Sequence, residues 1–178
     1  MNTFTSTHSL FQSKATSSEA KPEHIAPPEL RELLQTFGQN VYAQGFFRFV
    51  VPAQFRGYTS LWNLPPERCV PFMKCAFGHI ILFHDHMYKA INPVHNNVDE
   101  LAGEGELDFV MDILLTDRPA LESSFLIDLY EQSVGRLGIP SENEIYALVP
   151  ALRLGGPRAA QRVERLKMLP EMQILSQL

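Results

Sequence analysis

Apolar positions divide the chain into a strand-rich first part and a helix-patterned second part. Behind Pro27-Pro28, Leu30, Leu33, Leu34 and Phe37 fall at i, i+3, i+4 and i+7, and Gly38 follows. This spacing predicts a short amphipathic helix with a glycine stop. Residues 41–51 have the β-branched and aromatic content of one strand, ended by Pro52. Phe55, Tyr58 and Trp62 recur near helical spacing, which predicts a second helix over 53–63. After Pro65-Pro66, the runs 70–77, 79–86 and 87–91 read as strands. Beyond Asn96-Asn97 the period changes: Leu107, Val110, Met111, Leu114 and Leu115 outline a helix through Thr116. Pro119 opens another, with Leu121, Phe125, Leu126 and Leu129 inward until Gly135 or Gly138. Residues 145–154 are apolar but broken at Pro150, and a last helix is expected over 159–169. Residues 1–24, with nine Ser and Thr between Thr3 and Ser18, read as a flexible tail. The expected class is α+β: a small antiparallel sheet flanked by helices over 25–98, then a mostly helical region over 99–178.

Composition narrows the class. A chain of 178 residues that is 45% hydrophobic and holds 12 Phe is too apolar for a disordered protein. Cys69 and Cys75 are the two cysteines. On one strand they would stand roughly 20 Å apart, too far to bridge, so reduced thiols are expected and a disulfide scaffold is excluded. Residues 1–24 lack the apolar core of a secretory signal. The longest apolar run, near 80–83, falls far short of the ~20 residues of a membrane span. A soluble, cytoplasmic protein is the expectation.

The formal net charge of −5 argues against non-specific binding to nucleic acid or anionic membrane. That sum conceals three blocks. Residues 1–98 carry net +2 and residues 145–178 net +3, whereas residues 99–144 hold twelve acidic side chains against Arg118 and Arg136, net −10. Glu104, Asp108 and Asp112 would form one stripe if a single helix included all three. Like charges at i,i+4 gain nothing locally, so such a stripe is either a solvated face or a surface for a basic partner.

Catalytic templates are absent: the chain has no G-x-S-x-G, P-loop, H-E-x-x-H or C-x-x-C pattern. His84 and His86 would share one face of a strand. After Gly78 they match the opening G-x5-H-x-H of the cupin metal motif, with His79 and His95 as further potential ligands. The carboxylate that should follow is missing, as is the second cupin motif. A small His-based metalloprotein is therefore the enzymatic alternative; otherwise no enzyme activity and no cofactor are expected. Arg158, Arg162 and Arg165 offer a second alternative, a DNA-binding autorepressor using 158–167, although that segment has no base-stacking aromatics.

The C-terminal stretch carries a family resemblance. It comprises Gly138-Ile139-Pro140, Glu144-Ile145-Tyr146-Ala147-Leu148-Val149-Pro150-Ala151-Leu152, Leu154-Gly155-Gly156 and the ending Glu171-Met172-Gln173-Ile174-Leu175-Ser176-Gln177-Leu178. This pattern resembles the C-terminal domain of bacterial immunity proteins that accompany type VI secretion DNase effectors. Residues 30–38, Gly45-Phe46-Phe47, Pro52 and 72–83, with Phe77-Gly78 before a strand, are similar to the GAD-like domain preceding it in those proteins. The chain departs from the pattern at Glu171-Met172, where the family has His-Leu, at Leu148 in place of an aromatic, and at Arg153 in place of a small residue.

The resemblance implies a tail over 1–24, a GAD-like domain over 25–98 and an immunity domain over 99–178. It also implies a non-enzymatic cytoplasmic binder of a cognate DNase toxin, with no direct nucleic-acid or membrane contact. A DNase must carry a basic surface for phosphates, so the expected partner-binding residues are Glu100, Glu104, Glu106, Asp108, Asp112, Asp117 and Glu122. Tyr58 and Trp62 are candidate apolar anchors, with packing in the core as the other reading of both.

Overall fold

The run Ile80-Ile81-Leu82-Phe83 is apolar at every position because both faces of its strand are covered. Ile80 and Leu82 belong to one buried cluster, with Val50, Phe55, Trp62 and Met172, while Ile81 and Phe83 belong to another, with Leu33, Phe72 and Tyr88. A computed structural model of the chain describes residues 2–12 and 25–178. Seven strands form an antiparallel sheet in chain order: β1 (Leu10–Gln12), β2 (Val41–Tyr42), β3 (Phe47–Phe49), β4 (Cys69–Cys75), β5 (Ile80–His84), β6 (Met87–Asn92) and β7 (Asn97–Gly103). A second sheet pairs β8 (Glu144–Leu148) with β9 (Val163–Lys167). The helices are α1 (Asn2–Thr7), α2 (Pro28–Phe37), α3 (Pro52–Thr59), α4 (Leu107–Phe109), α5 (Arg118–Ser123), α6 (Ile127–Leu137) and α7 (Met168–Leu175). α4 runs directly into a π-helical turn, Val110–Leu114.

Several expectations are met. α2 ends at Gly38 with its N–H on Leu34 O, β4 to β6 occupy the three strand-like runs, and Cys69 and Cys75 are free and buried on β4. Among the described residues no helix is long and apolar enough to cross a membrane.

Other expectations are corrected. The strand expected over 41–51 is a hairpin: Ala43, Gln44 and Gly45 all adopt positive φ and fold β2 back on β3. Gly45 is required there, since a Cβ would lie 2.4 Å from Ile139 Cγ2. The helix from Pro119 is interrupted at Leu126, whose left-handed φ of 61° separates α5 from α6. The helix expected over 159–169 is instead β9 followed by α7, because residues 163–167 pair with β8 from Leu148 to Glu144. The second part is therefore α+β rather than mostly helical. Residues 2–12, read as part of a tail, form α1 and β1 with Phe4 fully buried; the rest of that expected tail, 1 and 13–24, lies outside the described residues. The expected boundary at 98/99 falls inside β7, and one buried cluster joins side chains from both sides of it.

His79 sits 1% exposed in this core, its ring 4.9 Å from that of Phe125. Burial pulls its pKa from 6.5 down to about 3, against the opposing pull of the Ser124 backbone and the Asn92 side chain. Between those values the unfolded chain binds the proton and the folded chain does not. The stability that His79 contributes is therefore present above pH 6.5 and is lost progressively as pH falls from there toward 3. Urea midpoints at pH 7 and pH 5 should show this loss, and His79→Gln should flatten the slope.

Candidate partner interface

The acidic segment begins on the edge strand β7 and continues through the turn into α4. Its carboxylates are placed by local chemistry. Glu100 stands opposite Lys89 in register and accepts from Lys89 Nζ at 3.1 Å. Glu104 turns back onto His86, its carboxylate on Nδ1 and its N–H on the His86 carbonyl. Glu106 accepts from the Gly103 N–H at 2.7 Å, which closes the turn and leaves its charge in place. Glu29 of α2 braces the turn from below, accepting from Tyr88 Oη and from the Gly105 N–H, each at 3.0 Å. Nothing in the charge pattern singled out that role for Glu29.

Asp112 lies in the π-helical turn and accepts from the Phe4 N–H at 2.9 Å, tying α1 to this segment. Asp117 caps α5 by accepting from the Ala120 N–H at 3.0 Å, a preferred use of Asp at that position. Arg118 then gathers Glu122 at 2.6 Å and Glu131, bidentate, at 2.7 Å. These contacts hold the Glu131 carboxyl below its usual range. Arg158 reaches across from the basic end to pair with both oxygens of Asp128, at 2.6 and 2.8 Å. The downstream acids Glu122, Asp128 and Glu131 are thus stitched into ion pairs with arginines.

Of the expected partner residues, Glu100, Glu104, Glu106, Asp108 and Asp117 are exposed, and Asp112 and Glu122 are half-buried. They do not form the anticipated helical stripe. Glu104 lies in the turn before α4, and the π-helical turn changes the pitch after Phe109. Of the two candidate anchors, Trp62 takes the core reading: it is 8% exposed among Val50, Phe55 and Cys69, and Tyr58 lies half-buried against Phe55. The large apolar side chains that this segment does expose are Phe109, at 45%, and Ile113, at 57%. Their i,i+4 spacing was visible in the sequence, but the inward set at 107, 110, 111, 114 and 115 drew the reading away from them.

The histidine pair diverges. His84 is buried at the end of β5, whereas Asp85 and His86 adopt positive φ in the following turn and the His86 side chain is 86% exposed. Asp85 lies 3.4 Å from His84 and 2.5 Å from Arg68. Among the described residues, no three His, Cys, Asp or Glu side chains gather as a metal site. Nor do Arg158, Arg162 and Arg165 share a helix. Arg165 lies on β9 and Arg158 is committed to Asp128, so the recognition helix needed by an autorepressor does not form.

Residues 106–178, beginning as the acidic turn enters α4, match the family model for the C-terminal region of the T6SS immunity protein Tdi1. The match supports a type VI secretion immunity protein. The fold is also that of the crystal structure of Atu4351 from Agrobacterium tumefaciens. The two share 19% identity at a TM-score of 0.73, over 97% of this chain and 86% of that one. No curated protein matches the chain.

Proposed function

We propose that this chain is a cytoplasmic, non-enzymatic immunity protein that binds and neutralises a cognate type VI secretion DNase effector. The match over 106–178 carries the reading. The net −10 of residues 99–144 supports its electrostatic form. A DNase holds phosphates with a basic surface, and an acidic protein face set against that surface excludes DNA by occupying it. Glu100, Glu104, Glu106, Asp108, Asp112, Asp117 and Glu122 form that face in this proposal. Residues 25–98 act as a GAD-like unit that contributes most of the sheet beneath it.

Charge reversal at Glu100, Glu104 and Asp108, which are exposed, tests the mechanism without disturbing the Asp112 link to α1. The triple lysine variant should bind the cognate effector at least about tenfold more weakly at low salt, with a shallower salt dependence than the native protein. Equal affinity and equal salt slope would rule out electrostatic docking and leave toxin neutralisation standing. Failure of the native protein to protect cells expressing the effector would remove the immunity reading itself.

A further inference from the structure

Phe109 and Ile113 are an unusual pair. Around them Leu107, Val110, Met111 and Leu115 are buried, as the amphipathic pattern requires, yet these two large apolar side chains face outward one turn apart. The backbone between them is π-helical: the Leu115 N–H reaches Val110 O, and the Thr116 hydroxyl hydrogen-bonds the Asp112 and Ile113 carbonyls. Such widened turns are uncommon and concentrate at functional sites. The segment is fixed from behind as well. Phe4 N–H bonds Asp112, and the His8 ring meets Leu115 O at 2.6 Å.

We propose that Phe109 and Ile113 are the apolar centre of the docking surface, seated in a notch within a basic face of the effector. The proposal rests on the toxin-binding reading above and adds the residues that supply most of the affinity. Glu106 and Asp108, both exposed, and Asp112 flank the pair, and that rim selects the occupant. An anionic membrane or a nucleic acid would be repelled by it. A second copy of this chain, joined about a two-fold axis, would set the rim against itself. A basic protein surface complements it. An apolar centre with a charged rim is the usual anatomy of a tight interface. A turn held rigid before binding also reduces the ordering cost of association.

The test uses the full-length double variant Phe109→Ser/Ile113→Ser and the purified cognate effector with its nuclease centre inactivated. Native protein and variant are compared by calorimetry or interferometry, and each is melted alone. The variant should bind about thirtyfold or more weakly, chiefly through faster dissociation. Its melting temperature should fall only by a few degrees, because both side chains are already about half exposed. The conservative Phe109→Leu/Ile113→Val variant should keep most of the affinity. Tight binding by the native protein with an unaffected serine variant would overturn the anchor role alone. No binding by the native protein would overturn the toxin-binding reading together with it. Self-association of the native protein that the serine variant abolishes would assign the pair to a dimer contact and overturn the proposal.

Discussion

Phe4→Ala is expected to destabilise the whole fold by about 3–5 kcal/mol, the range for emptying a buried aromatic site. Phe4 is fully buried, and its ring meets those of His8, Tyr42, Phe47 and Phe49 at centroid distances of 5.0, 5.3, 5.5 and 6.3 Å. It therefore closes the aromatic cluster at the β2–β3 end of the sheet. The ring packs on β2, on β3 and on His8 just after α1, so the surroundings cannot collapse without moving the sheet. The backbone adds a second consequence. With α1 loosened, the Phe4 N–H leaves Asp112, and the π-helical turn that presents Phe109 and Ile113 loses a support. Effector affinity should fall along with the urea midpoint. A shift below about 1 kcal/mol, the ordinary size of a surface effect, would show that α1 is not docked in solution.

The second large effect is expected at Lys74, a cation that is 2% exposed on β4. Its Nζ donates to the carbonyls of Ser141, Glu142 and Glu144 at 3.0, 2.6 and 2.8 Å, so each ammonium proton has an acceptor. Burial pulls its pKa from 10.5 down to about 7, helped by Arg48 and opposed by Glu142 and Glu144. Lys74→Met keeps the apolar stem but leaves three converging carbonyls without a donor. The loop joining α6 to β8 can recover some hydration, so the net cost should be about 2–4 kcal/mol. The loop should also exchange amide hydrogens faster than in the native protein, ahead of the sheet. Native-like stability together with native-like exchange in 141–144 would show that the clamp is unimportant.

Much of the architecture was legible because local pattern and tertiary context agree. α2 has its apolar stripe, a proline at its first turn and a glycine stop. β4 to β6 have apolar runs between tight turns. Where they disagree, tertiary partners decide. Residues 158–165 carry arginines at near-helical spacing, yet Val163 is buried and 163–167 pair with β8, which no local pattern reports. Phe4 is a single apolar residue in a Ser/Thr-rich stretch, with no periodicity to mark it, and its burial comes from residues about forty positions and more away. The acidic block was legible as a sum of charges. The use of each carboxylate was not, because His86, Gly103, Phe4 and Ala120 are brought to Glu104, Glu106, Asp112 and Asp117 by turns and helix starts. For the same reason the apolar centre was missed: periodicity picks out the side of a helix that faces the core, and an exposed pair is the residue set it discards.

The position of β7 bears on how such proteins can diversify. Charge changes sign near residue 98, yet β7 crosses that point as one strand paired along its length with β6. A recombination junction placed there would cut a hydrogen-bonded ladder and separate side chains that share a buried cluster. Exchange of whole modules at that point is thereby disfavoured. On the proposed toxin-binding role, new specificity is more readily reached by point substitution on the solvent side of the turn and α4, over an unbroken sheet. Relatives that face different effectors should accordingly keep the ladder and differ in the residues standing on it.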